Sequence, residues 1–309
     1  MSGHQSPYVK ARPFLKWAGG KTQLLSTIDT FLPKNLISQQ EVTYIEPFVG
    51  GGAMLFYMLQ NYQNIKRAII NDINLKLIKT YLTIKDRPHQ LITKLDNLQQ
   101  QYNQLPDYSI KKDFYLSIRE HFNSHTLSDV DQSAYMIFLN RTCFNGLYRE
   151  NSKGAFNVPY GKYANPTICD YDLILSDSNL LKRVTILHGD FSNTANYRHK
   201  YTFFYFDPPY RPLDATSSFN SYVKTAFNDE EQIRLKAFYE SMNNEGCYAL
   251  LSNSDGKSRN NEDLFFDNLY GNFIIERVYA KRCINANPSK RGKLSELLIR
   301  NYKEIKGVY

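Results

Sequence analysis

The residues best suited to chemistry in this sequence are four consecutive ones, Asp207-Pro208-Pro209-Tyr210. The exocyclic amine of a base such as adenine is a weak nucleophile because its lone pair is delocalised into the ring. Two acceptors aimed at its N–H bonds would draw the nitrogen towards tetrahedral geometry, and the Asp207 carboxylate and the Pro208 carbonyl could supply them. The prolines fix this turn in advance, and Tyr210 offers a ring on which a base could stack. The tetrapeptide therefore predicts a site that activates an amino group.

An apolar and largely aromatic run, residues 201–206, directly precedes the tetrapeptide. A short unbroken run of this kind predicts a buried strand, and consecutive prolines end its hydrogen-bond ladder. The same four residues could also serve only as a proline turn after a core strand. The rest of the sequence has to distinguish these two interpretations.

A second set of elements is typical of a nucleotide-binding sheet. Residues 44–53 contain Gly50, Gly51 and Gly52 between a strand-like segment and the apolar stretch 54–59, which predicts a strand, a turn and a helix. A second predicted strand ends at Asp72, about 20 residues beyond the glycines, where such folds place an acid on ribose hydroxyls. The glycine fingerprint of dinucleotide-binding folds needs a third glycine, which Tyr57 and its neighbours do not supply. A hydride-transfer enzyme is therefore disfavoured.

Upstream of this turn, the string Ala18-Gly19-Gly20-Lys21-Thr22 resembles the end of a phosphate-binding loop. That loop needs a glycine where this chain has Leu15, and it should follow a strand, so ATP hydrolysis is rejected. Trp17 is the only tryptophan and lies between Lys16 and Lys21. This aromatic and cationic group could cover a bound adenosyl or methionyl group, or Trp17 could be a core residue.

The net charge of +8 favours a polyanionic partner. In residues 141–163 cations for phosphates alternate with rings for bases. The cations are Arg141, Arg149, Lys153 and Lys162, and the rings are Phe144, Tyr148, Phe156, Tyr160 and Tyr163.

Metal, disulfide and membrane signals are weak. Four cysteines, Cys143, Cys169, Cys247 and Cys283, show neither metal nor disulfide spacing, so we expect a reducing cytoplasm. His121 and His125 lie four residues apart without further ligands, and we expect a solvated pair. No run approaches the roughly 18 apolar residues of a membrane span, and the polar residues 1–12 lack a secretory core.

The pattern along the chain predicts a sheet domain interrupted by a helical insertion. Apolar residues recur at helical spacing from about residue 74 to residue 140, and a Gly- and Asn-rich stretch follows at 142–164. Strand patterns return near Val184 and continue to residue 300. Between two of these strands, Asn228 with Glu231 three residues on predicts the start of a helix. We therefore expect a first part of the catalytic domain at 1–73, a helical target-recognition subdomain at 74–165, and a second catalytic part at 166–309.

Five strings along the chain resemble those of one known family. They are Phe14-Leu15-Lys16-Trp17-Ala18-Gly19-Gly20-Lys21, Glu46-Pro47-Phe48-Val49-Gly50-Gly51-Gly52, the segment from Asn140 to Arg149, Phe156-Asn157-Val158-Pro159-Tyr160-Gly161, and Asp207-Pro208-Pro209-Tyr210. In this order they are similar to the Dam-type, D12-class DNA adenine-N6 methyltransferases of bacteria, over about residues 14–302. The resemblance implies an α/β, Rossmann-like methyltransferase fold with an inserted helical recognition subdomain. It also implies S-adenosyl-L-methionine as cofactor, no metal, and double-stranded DNA as partner.

The resemblance also implies which residues form the sites. Those expected at the cofactor are Trp17, Lys21, Phe48, Gly50, Gly52, Asp72, Ile73, Asp190, Phe191 and Asp207, with Ile73 on the adenine ring. The catalytic residues are Asp207, Pro208, Pro209 and Tyr210. Those expected on DNA are Lys16, Asn140, Arg141, Phe144, Asn145, Leu147, Arg149, Asn157, Pro159, Lys162 and Tyr163.

Several of these DNA contacts carry specific roles in the family. Phe144 and Asn145 match the intercalating pair, and Arg149 matches the guanine reader of a GATC target. The family often has tyrosine at Phe144 and arginine at Lys162. Lysine neutralises a phosphate but cannot make the fork-shaped contact of arginine.

Two rival functions remain to be separated. One is methyl transfer to RNA adenine, cytosine N4 or glutamine, although Asp207 rather than asparagine or serine favours DNA adenine. The other is a DNA-binding protein without activity. We expect a monomeric cytoplasmic enzyme of bacterial or phage origin that flips its target base, and a role beside a cognate restriction endonuclease stays open against a solitary role.

Overall fold

The computed structural model describes residues 9–124, 126–211, 227–258, 260–280 and 294–307. Two compact units are present. The first unit comprises Met1–Gly20, Gly50–Asn61 and Asn74–His188, and the second comprises Lys21–Val49, Tyr62–Ile73 and Gly189–Tyr309. Cys283, His125 and the first eight residues, for which expectations were stated above, lie outside the described residues.

The described residues of the second unit form six strands of a mixed sheet. They are β1 (Val42–Glu46), β2 (Ile65–Asp72), β4 (Thr202–Phe206), β5 (Tyr248–Ser254), β6 (Ile274–Ala280) and β7 (Leu294–Arg300), with β3 belonging to the first unit. Their order is β2-β1-β4-β5-β7-β6. Strands β2, β1, β4 and β5 run parallel, while β7 is antiparallel to both β5 and β6.

The two central strands β1 and β4 are buried along their whole length. Burial on both faces explains why β4 reads as an unbroken aromatic run rather than an alternating pattern. The expected strand at 201–206 is confirmed from Thr202 onward, and Tyr201 is exposed. Because parallel strands end at one edge of the sheet, the carboxyl ends of β1, β2 and β4 place the residues after Glu46, Asp72 and Phe206 along that edge.

Four α-helices also lie in the described part of the second unit. They are α1 (Leu25–Thr30), α2 (Lys34–Ile37), α9 (Asp229–Asn244) and α10 (Phe265–Leu269). The expected start of α9 is confirmed, because the Asn228 side chain accepts a hydrogen bond from the Glu231 backbone N–H at 3.0 Å. Acids at Asp229, Glu230 and Glu231 also suit the positive end of the helix dipole.

The first unit is mainly helical. It contains α3 (Ala53–Asn61), α4 (Leu75–Asp86), α5 (Pro88–Gln104), α6 (Tyr108–Ser124), α7 (Asp129–Thr142), α8 (Tyr171–Leu181) and β3 (Val184–His188). Helices α4 to α7 confirm the helical pattern expected at 74–140, and the core between them includes Tyr81, Leu95, Tyr115 and Phe138. After α7 the chain forms a 3₁₀ turn at Phe144–Gly146 and isolated bridges that join Cys143 to Tyr160 and Glu150 to Phe156. Among the described residues, no helix is both long and apolar enough to span a membrane.

Candidate catalytic and recognition sites

The tetrapeptide expected to be catalytic directly follows β4. Pro208 is buried, Pro209 is exposed, and Asp207 and Tyr210 are half-buried. The Pro209 carbonyl accepts a hydrogen bond from Gln232 Nε2 at 3.2 Å, and Gln232 Oε1 accepts one from Asn253 Nδ2 at 3.3 Å. Because Gln232 and Asn253 are both fully buried, the turn is held from α9 and β5 as well as by its own prolines.

A buried lysine organises the polar groups of this turn. Lys21 Nζ lies 2.9 Å from Asp207 Oδ1 and 3.6 Å from Glu296 Oε2, and it also donates a hydrogen bond to Tyr210 Oη. Tyr210 Oη in turn donates to Glu296 Oε2 at 2.9 Å. The Lys21 side chain is only 3% exposed, whereas those of Asp207 and Glu296 are 20% and 18% exposed. We call these four residues the Lys21 cluster.

The Lys21 cluster carries two carboxylates and one ammonium group, and its pKa values reflect that composition. Burial would lower the pKa of Lys21, but the charges of Asp207, Tyr210 and Glu296 together raise it above its usual value. Burial raises the pKa of the Asp207 carboxyl, and Lys21 opposes that rise. Burial and the Asp207 charge also raise the pKa of Tyr210. Lys21 therefore stays cationic, and the cluster has a surplus of negative charge whenever both carboxyls are ionised.

The acid at the end of β2, Asp72, lies in a hydrogen-bonded corner. Asn71 is buried, and its Nδ2 donates to the carbonyls of Pro47 at 3.0 Å and Gly189 at 2.9 Å. The Gly189 N–H donates to the Asp72 carbonyl at 3.1 Å. Asp72 itself is half-buried, and the Ile73 side chain is 62% exposed. An exposed apolar side chain next to a half-buried acid is suited to a ligand that has both a ring and hydroxyl groups.

Aromatic rings lie near the same edge of the sheet. The Phe48 ring lies 5.3 Å from that of Phe191 and 5.6 Å from that of Phe227. Asp190 is engaged by Arg234 through two bonds, of 3.0 Å to Oδ1 and 2.7 Å to Oδ2, and these hydrogen bonds lower the pKa of Asp190 to about 2. The ionised Asp190 thus orients Arg234, whose guanidinium lies 4.1 Å from the Phe191 ring centre.

The glycine-rich turn belongs to the first unit and packs on Trp17. Gly50 and Gly52 have left-handed φ values of 48° and 76°, which glycine adopts without strain. A Cβ on Gly50 would lie 2.9 Å from Trp17 Cδ1, and one on Gly52 would lie 2.5 Å from Tyr81 Oη. Tyr81 Oη donates to the Gly50 carbonyl at 2.9 Å. The indole therefore fits against backbone that only glycine could form.

The segment expected to contact DNA is anchored by Asn140. This residue is fully buried, accepts a hydrogen bond from the Lys16 N–H at 2.9 Å, and donates to the carbonyls of Lys16 and Gly146, each at 2.9 Å. Its amide thus joins the Lys16 backbone to the 3₁₀ turn. Gly146 packs closely here, because a Cβ at this position would lie 2.4 Å from Lys16 Cδ.

The 3₁₀ turn presents apolar side chains to the outside. Phe144 is 52% exposed and Leu147 is 41% exposed, and Asn145 between them has a left-handed φ of 57°. The Phe144 N–H donates to the carbonyl of Pro159, which is also exposed. The structure thus places four residues expected to contact DNA at or beside one turn, namely Phe144, Asn145, Leu147 and Pro159.

The other expected DNA contacts differ in their surroundings. Arg149 Nε donates to Asn157 Oδ1 at 2.8 Å, so these two side chains are paired. Lys162 is exposed, with a left-handed φ of 62°, and its ammonium lies 5.2 Å from the Tyr108 ring centre. Tyr163 is half-buried, and its carbonyl accepts a hydrogen bond from Tyr102 Oη at 2.7 Å.

Arg141 lies deeper than these residues. Its Nη2 donates to the Phe14 carbonyl at 3.0 Å, and burial lowers its pKa. Its position favours a role in holding the Phe14 segment over direct contact with a phosphate.

Several residues of these sites were not singled out from the sequence. Gln232 and Glu296 were expected only as parts of a helix and a strand, and Asn71 only as part of a strand. Tyr148 was noted only as one ring of a cationic and aromatic stretch. No group of three or more His, Cys, Asp or Glu side chains in the described ranges is placed to bind a metal. Cys143, Cys169 and Cys247 are unpaired thiols.

Comparison with known proteins gives one consistent result. The model of the D12 class N6 adenine-specific DNA methyltransferases matches residues 17–284. The Type II methyltransferase M.MjaIII of Methanocaldococcus jannaschii is 49% identical over 95% of this chain and 100% of its own length. The Type II methyltransferase M1.LlaDCHI of Lactococcus lactis is 38% identical over 96% of this chain and 98% of its own length. A DNA adenine methylase of Haemophilus influenzae is 33% identical over 94% of each chain.

Proposed function

The chain belongs to the D12 class of N6 adenine-specific DNA methyltransferases, and we propose that it methylates adenine within GATC in double-stranded DNA after flipping the base. It is thus an adenine-N6 DNA methyltransferase with a mixed α/β, Rossmann-like fold, and its family uses a methyl donor of the S-adenosylmethionine type. The observation that carries the proposed mechanism is the Lys21 cluster around Asp207.

The residues of the second unit fit such a donor. Asp72 ends a parallel strand, where a carboxylate can accept hydrogen bonds from ribose hydroxyls. Ile73 and Phe48 offer apolar surface for an adenine ring, and Asn71 Oδ1 is a buried acceptor with no partner among the described residues. The donor supplies a methyl group on a positively charged sulfur, which the negative surplus of the Lys21 cluster would favour.

The chemistry assigned to this chain is activation of the adenine amine. Lys21 occupies Asp207 Oδ1, so we assign Oδ2 of Asp207 and the Pro208 carbonyl to the two N–H bonds of the amine. Methyl transfer to N6, with the neutral thioether as leaving group, would leave N6 cationic, and its extra proton would pass to Asp207 Oδ2 and from there to solvent. The nearby carboxylates stabilise this developing positive charge, and Gln232 and the prolines hold the turn so that little reorganisation is needed.

Base flipping is supported by the 3₁₀ turn. The N6 group of adenine is paired within a duplex, so the enzyme must extrude the nucleotide before it can act. Phe144 and Leu147 are large apolar side chains held on a rigid turn and exposed to the outside. We assign Phe144 to the gap that the flipped adenine leaves, where stacking on neighbouring bases replaces the lost contacts.

Readout of GATC is assigned to residues near that turn. Arg149 carries a guanidinium that can donate to both O6 and N7 of a guanine, and its hydrogen bond to Asn157 fixes the direction of the side chain. Leu147 and Pro159 are exposed apolar groups suited to a thymine methyl. We further propose that residues 74–165 act as the recognition subdomain, that Asn140 and Arg141 position it, and that Lys16, Asn145, Lys162 and Tyr163 contact the DNA.

The setting of the reaction is also a proposal. Two relatives carry the name Type II methyltransferase, which favours a role beside a restriction endonuclease over a solitary role. We propose a monomer that shares its target with such a nuclease. A neighbouring nuclease gene whose product cuts at the methylated site would support this, and a nuclease with a different site would contradict it.

The test of the mechanism is the variant Asp207→Ala. Transfer of a labelled methyl group to a GATC duplex should fall by about 10²–10³-fold, while duplex affinity stays within a few-fold of the parent. Asp29→Ala is the matched control, because Asp29 also pairs with a lysine, Lys306, at 2.5 Å within the same unit. Equal turnover in both variants would contradict the role of Asp207, and RNA offered in parallel would expose an RNA substrate.

A further inference from the structure

Trp17 connects the glycine-rich turn to the recognition segment. One side of the indole meets the turn, because a Cβ on Gly51 would lie 3.0 Å from Trp17 Cβ and one on Gly50 only 2.9 Å from Trp17 Cδ1. Trp17 also stacks on Tyr148, with ring centres 4.9 Å apart and planes inclined by 19°. All of these residues lie in the first unit.

Tyr148 is in turn fixed within the recognition segment. Its hydroxyl donates to Glu150 Oε1 at 2.6 Å, and that carboxylate is paired with Lys76 Nζ of α4 at 3.0 Å. The Tyr148 ring lies 5.6 Å from that of Phe156, and Glu150 pairs with Phe156 through an isolated bridge. Tyr148 and Phe156 directly neighbour Arg149 and Asn157, the side chains that pair with each other.

We propose that Tyr148 is a positioning residue that couples occupancy of the glycine-rich turn to DNA recognition through its stack on Trp17. This inference rests on the proposed function, because it takes Arg149 to read the DNA, and it adds the role that the resemblance implies for Trp17, Gly50 and Gly52 as residues at the cofactor. A ligand that orders the turn orders the indole against it, and the indole holds the Tyr148 ring and hence the adjacent Arg149. Since coupling between two binding events is reciprocal, DNA should strengthen cofactor binding by the same factor.

The measurement is the affinity for a GATC duplex with and without saturating S-adenosylhomocysteine, which binds without reacting. In the parent we expect the compound to tighten DNA binding by about 5-fold or more, the lower end of ordinary coupling. Tyr148→Leu removes the stacking ring, and the ratio should fall below about 2-fold. Tyr148→Phe keeps the ring and loses the bond to Glu150, so it should retain most of the coupling. Tyr171→Leu, at an exposed tyrosine of α8, is the control and should leave the ratio unchanged.

Fluorescence supplies a second readout, taken at the stack itself. Trp17 is the only tryptophan, so its emission reports directly on the stack. Addition of the GATC duplex should change the emission of the parent and of Tyr148→Phe, and should leave that of Tyr148→Leu nearly unchanged, with circular dichroism confirming that each variant is folded.

Two results would overturn the inference. One is a parent whose affinity for DNA is the same with and without the compound, and the other is Tyr148→Leu that keeps the parent ratio. Both are distinct from failure of the proposed function, which would appear as a parent that transfers no methyl group to DNA.

Discussion

Removal of the Lys21 ammonium should shift the pH dependence of methyl transfer. Lys21 Nζ lies 2.9 Å from Asp207 Oδ1, and it is the group that opposes the rise in the pKa of Asp207 caused by burial. In Lys21→Met that opposition is lost, so Asp207 should take up a proton at higher pH. An opposite charge within 4–6 Å ordinarily lowers a carboxyl pKa by about 1–3 units, and we expect the acid limb of kcat to move up by a similar amount.

The same change has an effect on stability. Breaking a buried ion pair from one side costs about 3–5 kcal/mol because the remaining charge loses its partner. The Asp207 and Glu296 side chains are 20% and 18% exposed, so solvent compensates part of this, and about 2–3 kcal/mol is expected at neutral pH. The loss should shrink at low pH, where protonation of Asp207 removes the unpaired charge.

The matched control is Lys306→Met. Lys306 Nζ lies 2.5 Å from Asp29 Oδ2 and donates to Tyr62 Oη at 3.1 Å, so it reproduces the lysine, aspartate and tyrosine of the Lys21 cluster away from the expected site residues. Rates of methyl transfer between pH 5 and 9, with saturating cofactor and DNA, should show a shifted acid limb only in Lys21→Met. If both variants have the parent profile, Lys21 does not control the ionisation of Asp207 and the electrostatic argument fails.

Three further predictions concern other parts of the sites. Asp72→Ala should weaken cofactor binding by calorimetry with an unchanged circular dichroism spectrum, and unchanged affinity would leave Asp72 a structural residue. Arg149→Ala should lose about 1–3 kcal/mol of discrimination at one guanine. Lys153→Ala, at an exposed residue, should instead lower the affinity for all duplexes alike and reduce the slope of log affinity against log salt concentration by about one. Methylation of every single-base variant of GATC distinguishes them, and equal loss at all positions in Arg149→Ala would refute guanine readout. Burial raises the pKa of Asp177 to about 8. The stabilisation that protonated Asp177 contributes is therefore complete below the unfolded-state pKa of about 3.9, and it declines by about 1.4 kcal/mol per pH unit from there up to pH 8. The free energy of unfolding of Asp177→Asn, measured with denaturant across this range, should lack this decline.

The order of the secondary structure and the position of the Asp207–Tyr210 turn could be predicted from the sequence because both depend on local signals. An unbroken aromatic run before two prolines predicts a buried strand and its end, and β4 confirms this. The start of α9 depends on the short-range bond between Asn228 and Glu231, which the spacing of these residues already indicates. Hydrophobic patterns and helix caps depend on residues that are close together in the sequence, and for that reason the sequence alone indicates them.

The partners of the Asp207–Tyr210 turn could not be predicted in the same way. Lys21 and Tyr210, which share a hydrogen bond, are 189 positions apart, and Glu296 follows on the last described strand. No local pattern links such residues, because only the order of strands in the sheet brings them together. Gln232 looked like an ordinary polar residue of a helix, and its burial against the Pro209 carbonyl follows from how α9 packs.

The hydrogen bonds of Asn140 bear on the DNA contact that the resemblance implies for it. A polar residue in a motif that contacts DNA can bind the DNA directly, or it can hold in place the residues that do. Either role is compatible with the same asparagine at the same position of the motif. In this structure the Asn140 amide is satisfied by the Lys16 backbone and the Gly146 carbonyl, in a position with no exposure. A DNA contact would have to break those bonds within a buried site, where an unpaired polar group costs about 1–3 kcal/mol. The energetics therefore favour a footprint formed by exposed side chains such as Phe144 and Leu147, with Asn140 fixing the backbone beneath them.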